Sequence, residues 1–173
     1  WYEEILMKFA TKLSTGCIAL LSCALSAAGL LLPEPEPGHF DLLDPEKEAA
    51  MQQAIRDAGA QGDSVGGILE TIVTGLPAGV GEPWFDSVES ELSHLMFAIP
   101  ACKGVEFGAG FAFAGLRGSE ANDAFTMQNG VVRTATNRNG GVNGGITNGM
   151  PLVFRTVIKP TPSIYKQQHT VDF

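Results

Sequence analysis

Apolar and polar positions divide the chain into segments with different periods. From Phe85, the apolar residues Val88, Leu92, Leu95 and Ile99 follow at spacings of 3, 4, 3 and 4. That is the period of one helix face, and it predicts a helix that begins at Pro83 and is stopped by Pro100. An earlier helix is expected after Asp44, a good N-cap, with Pro45 at the first position, where its missing N–H costs nothing. Met51, Ile55 and Ala58 share one face of it, and Gly59 and Gly62 end it. Ile68–Thr74 is rich in Ile, Val and Thr and reads as a strand bounded by glycines. Gly104–Gly108, with Val105 and Phe107 on one face, Val131–Thr136 and Leu152–Ile158 are further strands. Residues 109–130 read as loop with some helix, and Asn137–Gly149, with five glycines and four asparagines, as a loop. Helices and strands mix, and many connections are too short for parallel crossovers, so the expected class is α+β.

The first forty residues follow another pattern. Lys8 and Lys12 precede an apolar stretch from Cys17 to Leu32, broken only by Ser22, Ser26 and Gly29. This has the form of an export signal, and Leu20-Leu21-Ser22-Cys23 has some likeness to a lipoprotein cleavage site. A buried helix rich in Ala and Leu fits equally, since the stretch is short for a bilayer span. Pro33-Glu34-Pro35-Glu36-Pro37-Gly38 is a linker by composition. The expected division is residues 1–40, an apolar segment with its linker, and residues 41–173, a folded region.

Charge sharpens this picture. The chain of 173 residues carries a formal charge of −8, which argues against nonspecific nucleic-acid binding. Residues 124–173, however, hold one acid, Asp172, and five bases, Arg133, Arg138, Arg155, Lys159 and Lys166. A local positive field among many glycines suits a small phosphate-bearing ligand, and scattered solvated charge is the alternative. The three cysteines, Cys17, Cys23 and Cys102, form no C-x-x-C pair and fit a reducing compartment.

Gly62-Asp63-Ser64-Val65-Gly66 matches G-x-S-x-G, the serine-hydrolase elbow. That chemistry needs a strand entering and a helix leaving, whereas the predicted order here is helix then strand. Gly140-Gly141-Val142-Asn143-Gly144-Gly145 is not a phosphate-binding fingerprint, but it permits close backbone approach to an anion or a flat ring. A flexible turn explains it as well. His39, His94 and His169 have no partner at i+4, so no metal site is expected.

Taken together, six segments resemble the chorismate synthase family. They are Gly62–Gly67, Gly75–Pro83, Ile99–Gly108, Gly118–Glu120, Gly140–Gly149 and Lys159–Ile164, in the family's order and spacing, over about residues 42–172. Residues 1–40 stand outside the resemblance. It implies a β-α-β sandwich with helices between antiparallel sheets, a homotetramer, and a cytoplasmic enzyme of the shikimate pathway of aromatic amino acid biosynthesis. The implied reaction removes phosphate from 5-enolpyruvylshikimate 3-phosphate to give chorismate, using reduced FMN without net redox change, with a separate flavin reductase as a candidate partner. The implied flavin contacts are Pro100, Ala101, Gly144, Lys159, Pro160, Thr161, Pro162 and Ser163. The family's Gly-x-Ser-His-Gly, Arg-Ser-Ser-Ala and Gly-Arg-His-Asp segments are expected outside residues 1–173. None of the three histidines occupies a proton-transfer position, and these residues alone are expected to be inactive. An exported or lipid-anchored binding protein, suggested by residues 7–32, is the alternative from another class.

Overall fold

The computed structural model describes residues 10–11 and 45–171. Apart from Ala10–Thr11, the segment 7–32 read as an export signal lies outside the described residues, as do the Pro33–Gly38 linker and the predicted cap Asp44. A 3-10 turn at Pro45–Lys47 leads into helix α1, Glu48–Ala60. Alanines at 49, 50, 54, 58 and 60 favour the helical backbone. Its end is a Schellman motif: Asp63 N–H bonds the Ala58 carbonyl, Gly62 N–H bonds that of Gly59, and Gly62 takes φ +66°. No residue of α1 is buried, so the Met51–Ile55 face is exposed among the described residues.

Three long strands form the centre. They are β2 (Gly67–Val73), β3 (Cys102–Phe107) and β8 (Leu152–Ile158), joined at one edge by the short β1 (Ala10–Thr11) in the order β1-β2-β8-β3. Every pairing is antiparallel, from Gly67 opposite Ile158 to Val73 opposite Leu152, and from Cys102 opposite Ile158 to Phe107 opposite Phe154. Lys103 is the extra residue of a bulge between Cys102 and Gly104. Alternation sends Thr71, Val73, Leu152, Phe154 and Thr156 to a buried face. On the opposite face Arg155 stands across from Glu106, with Nη2 and Oε1 2.9 Å apart.

Helix α2 (Val88–Phe97) covers the buried face. The sequence placed its start at Pro83, but Pro83 is followed by a 3-10 turn, Trp84–Asp86, and Ser87 is the N-cap, its Oγ accepting from Ser90 N–H at 3.1 Å. Phe85 therefore falls out of helical phase and stays exposed, while Val88 and Leu92 are buried against Val73, Val142, Leu152 and Phe154. Phe107 and Phe154 lie with ring centroids 5.5 Å apart, adding an aromatic contact to this core.

The remaining elements are short. A 3-10 stretch at Gly110–Gly115 and helix α3 (Gly118–Ala121) precede the hairpin of β4 (Phe125–Gln128) and β5 (Val131–Thr134). A second hairpin, β6 (Val142–Asn143) with β7 (Ile146–Thr147), lies inside the stretch read from sequence as loop. Helices with antiparallel sheet make the chain α+β, as expected. Among the described residues no helix is long and apolar enough to cross a membrane.

Leu92 is fully buried. Leu92→Ala is expected to cost about 2–5 kcal/mol through lost transfer energy and a cavity beneath the sheet, read from urea unfolding midpoints.

Candidate functional site

The sheet and α2 end together at one edge of the fold, and that shared end brings two predicted segments into contact. After α2, Ile99 to Cys102 forms a turn closed by a hydrogen bond from Cys102 N–H to the Ile99 carbonyl at 3.2 Å. Pro100 takes the second position, where its fixed φ is favourable, and Ala101 takes the third with φ +70°. A left-handed alanine costs roughly 1–2 kcal/mol, so the rest of the fold must hold this turn in place. One such hold is direct. The Ala101 carbonyl accepts from Lys159 N–H at 2.9 Å, just beyond the Cys102–Ile158 pair. Pro100-Ala101 and the start of Lys159–Ser163 are thus adjacent.

Lys159–Ser163 leaves the sheet because Pro160 and Pro162 have no N–H for a ladder. All five residues are exposed. The N–H groups of Thr161 and Ser163, their hydroxyls and the Lys159 ammonium find no acceptor among the described residues. The other side of the segment is held by the turn after α1. Ser64 Oγ donates to the Thr161 carbonyl at 2.6 Å, Tyr165 N–H donates to the Gly62 carbonyl at 2.9 Å, and Lys166 pairs with Asp63. The hydrogen bond from Lys166 to Asp63, with that from Ser64 N–H, holds the Asp63 carboxyl below the usual carboxylate range. Gly66 has to be glycine for this approach, since a Cβ there would lie 2.5 Å from the Ile158 carbonyl and 3.0 Å from Pro160 Cδ.

Ser64 is therefore no nucleophile elbow. A helix enters, strand β2 leaves, and the hydroxyl proton is directed at a carbonyl.

Gly144 lies elsewhere. It is the first of two turn residues between β6 and β7, with φ +60°, followed by Gly145 at φ +87°. Gly145 accepts from Val88 N–H at 3.0 Å, so this hairpin sits at the start of α2, whereas Pro100 follows its end. The helix between them is about 15 Å long at 1.5 Å per residue. Thr147 fastens the hairpin to the Gly75–Pro83 segment. Its buried hydroxyl donates to the Pro77 carbonyl at 2.6 Å and accepts from Val80 N–H at 2.9 Å. The backbones meet so closely that a Cβ on Gly81 would lie 2.5 Å from the Gly145 carbonyl.

Asp123 anchors the loop that leads into this hairpin. It is 4% exposed and accepts from Thr136 Oγ1 at 2.6 Å and from the N–H groups of Arg138 and Asn139 at 2.8 Å each. Burial alone would raise its pKa. The three hydrogen bonds and the Arg138 charge outweigh it and hold the carboxyl below its ordinary range. No sequence motif marks Asp123, since its partners lie 13–16 residues away.

The arrangement defines an α+β protein in which the Lys159 ammonium and the Thr161 and Ser163 donors stand exposed at the end of the central sheet. The family model for chorismate synthase matches residues 8–173. The chain is 55% identical over 130 residues to the chorismate synthase of Thermococcus gammatolerans, covering 74% of this chain and 36% of the relative. To that of Chitinophaga pinensis it is 57% identical over 128 residues, covering 74% and 37%. A crystal structure of chorismate synthase superposes with a TM-score of 0.65 at 36% identity, over 69% of this chain and 36% of that one. The chain belongs to the chorismate synthase family. It spans a little over a third of the length of the curated relatives it matches.

Asp123→Asn should destabilise the protein at neutral pH by about 1–3 kcal/mol, because the amide cannot accept from three donors. A depressed carboxylate pKa contributes stability above its unfolded value and loses it as pH falls through the folded one. The gap between wild type and variant should therefore close as pH drops below 3.8, followed by unfolding midpoints across pH.

Proposed function

We propose that Lys159–Ser163 and the Pro100-Ala101 turn form one wall of a flavin site in a chorismate synthase. The complete enzyme would eliminate phosphate from 5-enolpyruvylshikimate 3-phosphate to give chorismate with reduced FMN. The observation that carries this reading is the hydrogen bond from Lys159 N–H to the Ala101 carbonyl. It joins two separately recognised segments at the edge where unused donors are concentrated.

The chemistry of that edge fits the cofactor. Lys159 offers a positive charge to a phosphate or to an anionic reduced ring. Thr161 and Ser163 offer hydroxyl and backbone N–H donors, and the two prolines narrow the backbone angles of the segment that carries them. Pro100-Ala101 presents backbone at the same edge. When bound, reduced FMN supplies an electron-rich ring beside the substrate, and turnover leaves its oxidation state unchanged. Gly144, exposed and with nothing within 4 Å of a Cβ built on it, leaves room for a ligand at the far end of α2. His94 and His169 are exposed, and His39 lies outside the described residues; none is assigned to proton transfer. The enzyme is proposed to act as a cytoplasmic homotetramer, with flavin reduction by a separate reductase as one route.

Lys159→Met in the full-length protein should weaken FMN binding about ten- to a hundredfold, as expected for a charge-assisted contact, with the melting temperature little changed. Flavin fluorescence titration reads the affinity, and unchanged affinity would remove Lys159 from the site. Residues 1–173 alone should give no chorismate from anaerobic reduced FMN and substrate. Turnover near that of a complete enzyme would contradict the reading.

A further inference from the structure

The Gly62–Gly66 motif has no part in the proposed chemistry, yet its contacts converge on the segment that does. Beyond Ile158 the chain can no longer be held by strand pairing, because Pro160 and Pro162 lack donors. Its position depends on what reaches its carbonyls and flanks. Lys159 N–H is fixed by Ala101, and the next backbone bond is at Tyr165, to Gly62. Between them, two side chains of the described residues reach the segment: Ser64 Oγ at the Thr161 carbonyl, 2.6 Å, and the exposed Gln168 Nε2 at the Pro162 carbonyl, 3.3 Å. The Ser64 contact is the shorter, and it comes from a turn already locked by a Schellman motif and by the start of β2. Ser64 and Thr161 are 97 residues apart in sequence, so the bond ties the exit of α1 to the exit of β8.

We infer that Ser64 is a positioning residue for the flavin site, its hydroxyl holding the Thr161 carbonyl so that the Lys159, Thr161 and Ser163 donors converge on one ligand. This rests on the proposed function of Lys159–Ser163. The physical content is preorganisation. Without the bond, a segment with two prolines and no ladder samples several positions, and binding must pay to select one. Gly66 serves the same end, since any side chain there would push Ile158 and Pro160 away from the turn.

The test measures FMN affinity of the full-length protein by fluorescence titration for wild type, Lys159→Met, Ser64→Ala and Ser64→Thr, each with its melting temperature. Ser64→Ala should raise the dissociation constant about three- to tenfold, the range of one hydrogen bond, with little change in melting temperature. Ser64→Thr, which keeps the hydroxyl, should restore most of the affinity. Should Ser64→Ala fail to fold, Ser64→Thr against the equally shaped Ser64→Val isolates the hydroxyl, and the threonine variant should bind more tightly. If Lys159→Met leaves affinity unchanged, the flavin reading itself fails. If Lys159→Met weakens binding but Ser64→Ala, or Val against Thr, leaves it unchanged, the positioning role alone is overturned. Loss that tracks a fall in melting temperature and is not rescued by threonine also overturns it.

Discussion

Strand β8 is hydrogen-bonded on both sides, to β2 over Gly67–Val73 and to β3 over Cys102–Phe107. Its inward residues Leu152 and Phe154 lie in the core with Val88 and Leu92 of α2, and Thr156 is buried on the same face. Fully burying a leucine or phenylalanine contributes roughly 1.5–3 kcal/mol, so β8 is fixed in register by its apolar face as well as by two ladders. A slip of one residue would turn Arg155 and Val153 into the core. Both ends of this strand lead into segments with little regular structure of their own. At its start lie the glycine hairpin and the loop held by Asp123; at its end lies Lys159–Ser163.

Those segments keep their shape by backbone meeting backbone. Gly81 and Gly145 approach too closely for a side chain, as do Gly66 and the Ile158–Pro160 stretch. Packing of loop on loop thus requires glycine at Gly66, Gly81 and Gly145, and Thr147, Asp123 and Ser64 supply the hydrogen bonds that lock these loops. The proposed function rests on what is left over. Where the chain exits β8, prolines remove donors from the backbone, the Thr161 and Ser163 N–H groups have no acceptor among the described residues, and the Lys159 ammonium stands beside them.

Much of this was legible in the residues. Leu152–Ile158 was read with its observed bounds, because β-branched and apolar residues between glycine and proline leave little choice. The apolar stripe of α2 was read correctly from Val88 onward, but its start was misplaced, since spacing alone does not locate a cap and Ser87 supplies one. Of the hairpins, β5 is expected from Val131–Thr136, whereas β4, β6 and β7 lie in stretches that read as loop. Each turn carries a tight-hairpin pair, Asn129-Gly130 in the first and Gly144-Gly145 in the second. Asn129 and Gly130 both take positive φ, as a type I′ turn requires. Glycine density hid the signal, because very short strands between glycines look like loop. The six family-like segments point to the proposed flavin contacts but not to their neighbours in space. That Pro100-Ala101 and Lys159 share a hydrogen bond, while Gly144 lies at the other end of α2, is a property of the sheet and could not be read along the chain.

The central claim is that the exit of β8 receives the flavin. Amide hydrogen exchange of the full-length protein with and without FMN tests it most directly. The account predicts slowed exchange at the Thr161 and Ser163 amides, which have no described acceptor, and little change at Lys159, already bonded to Ala101. Unchanged exchange at Thr161 and Ser163 under saturating FMN, with protection appearing only elsewhere, would contradict it.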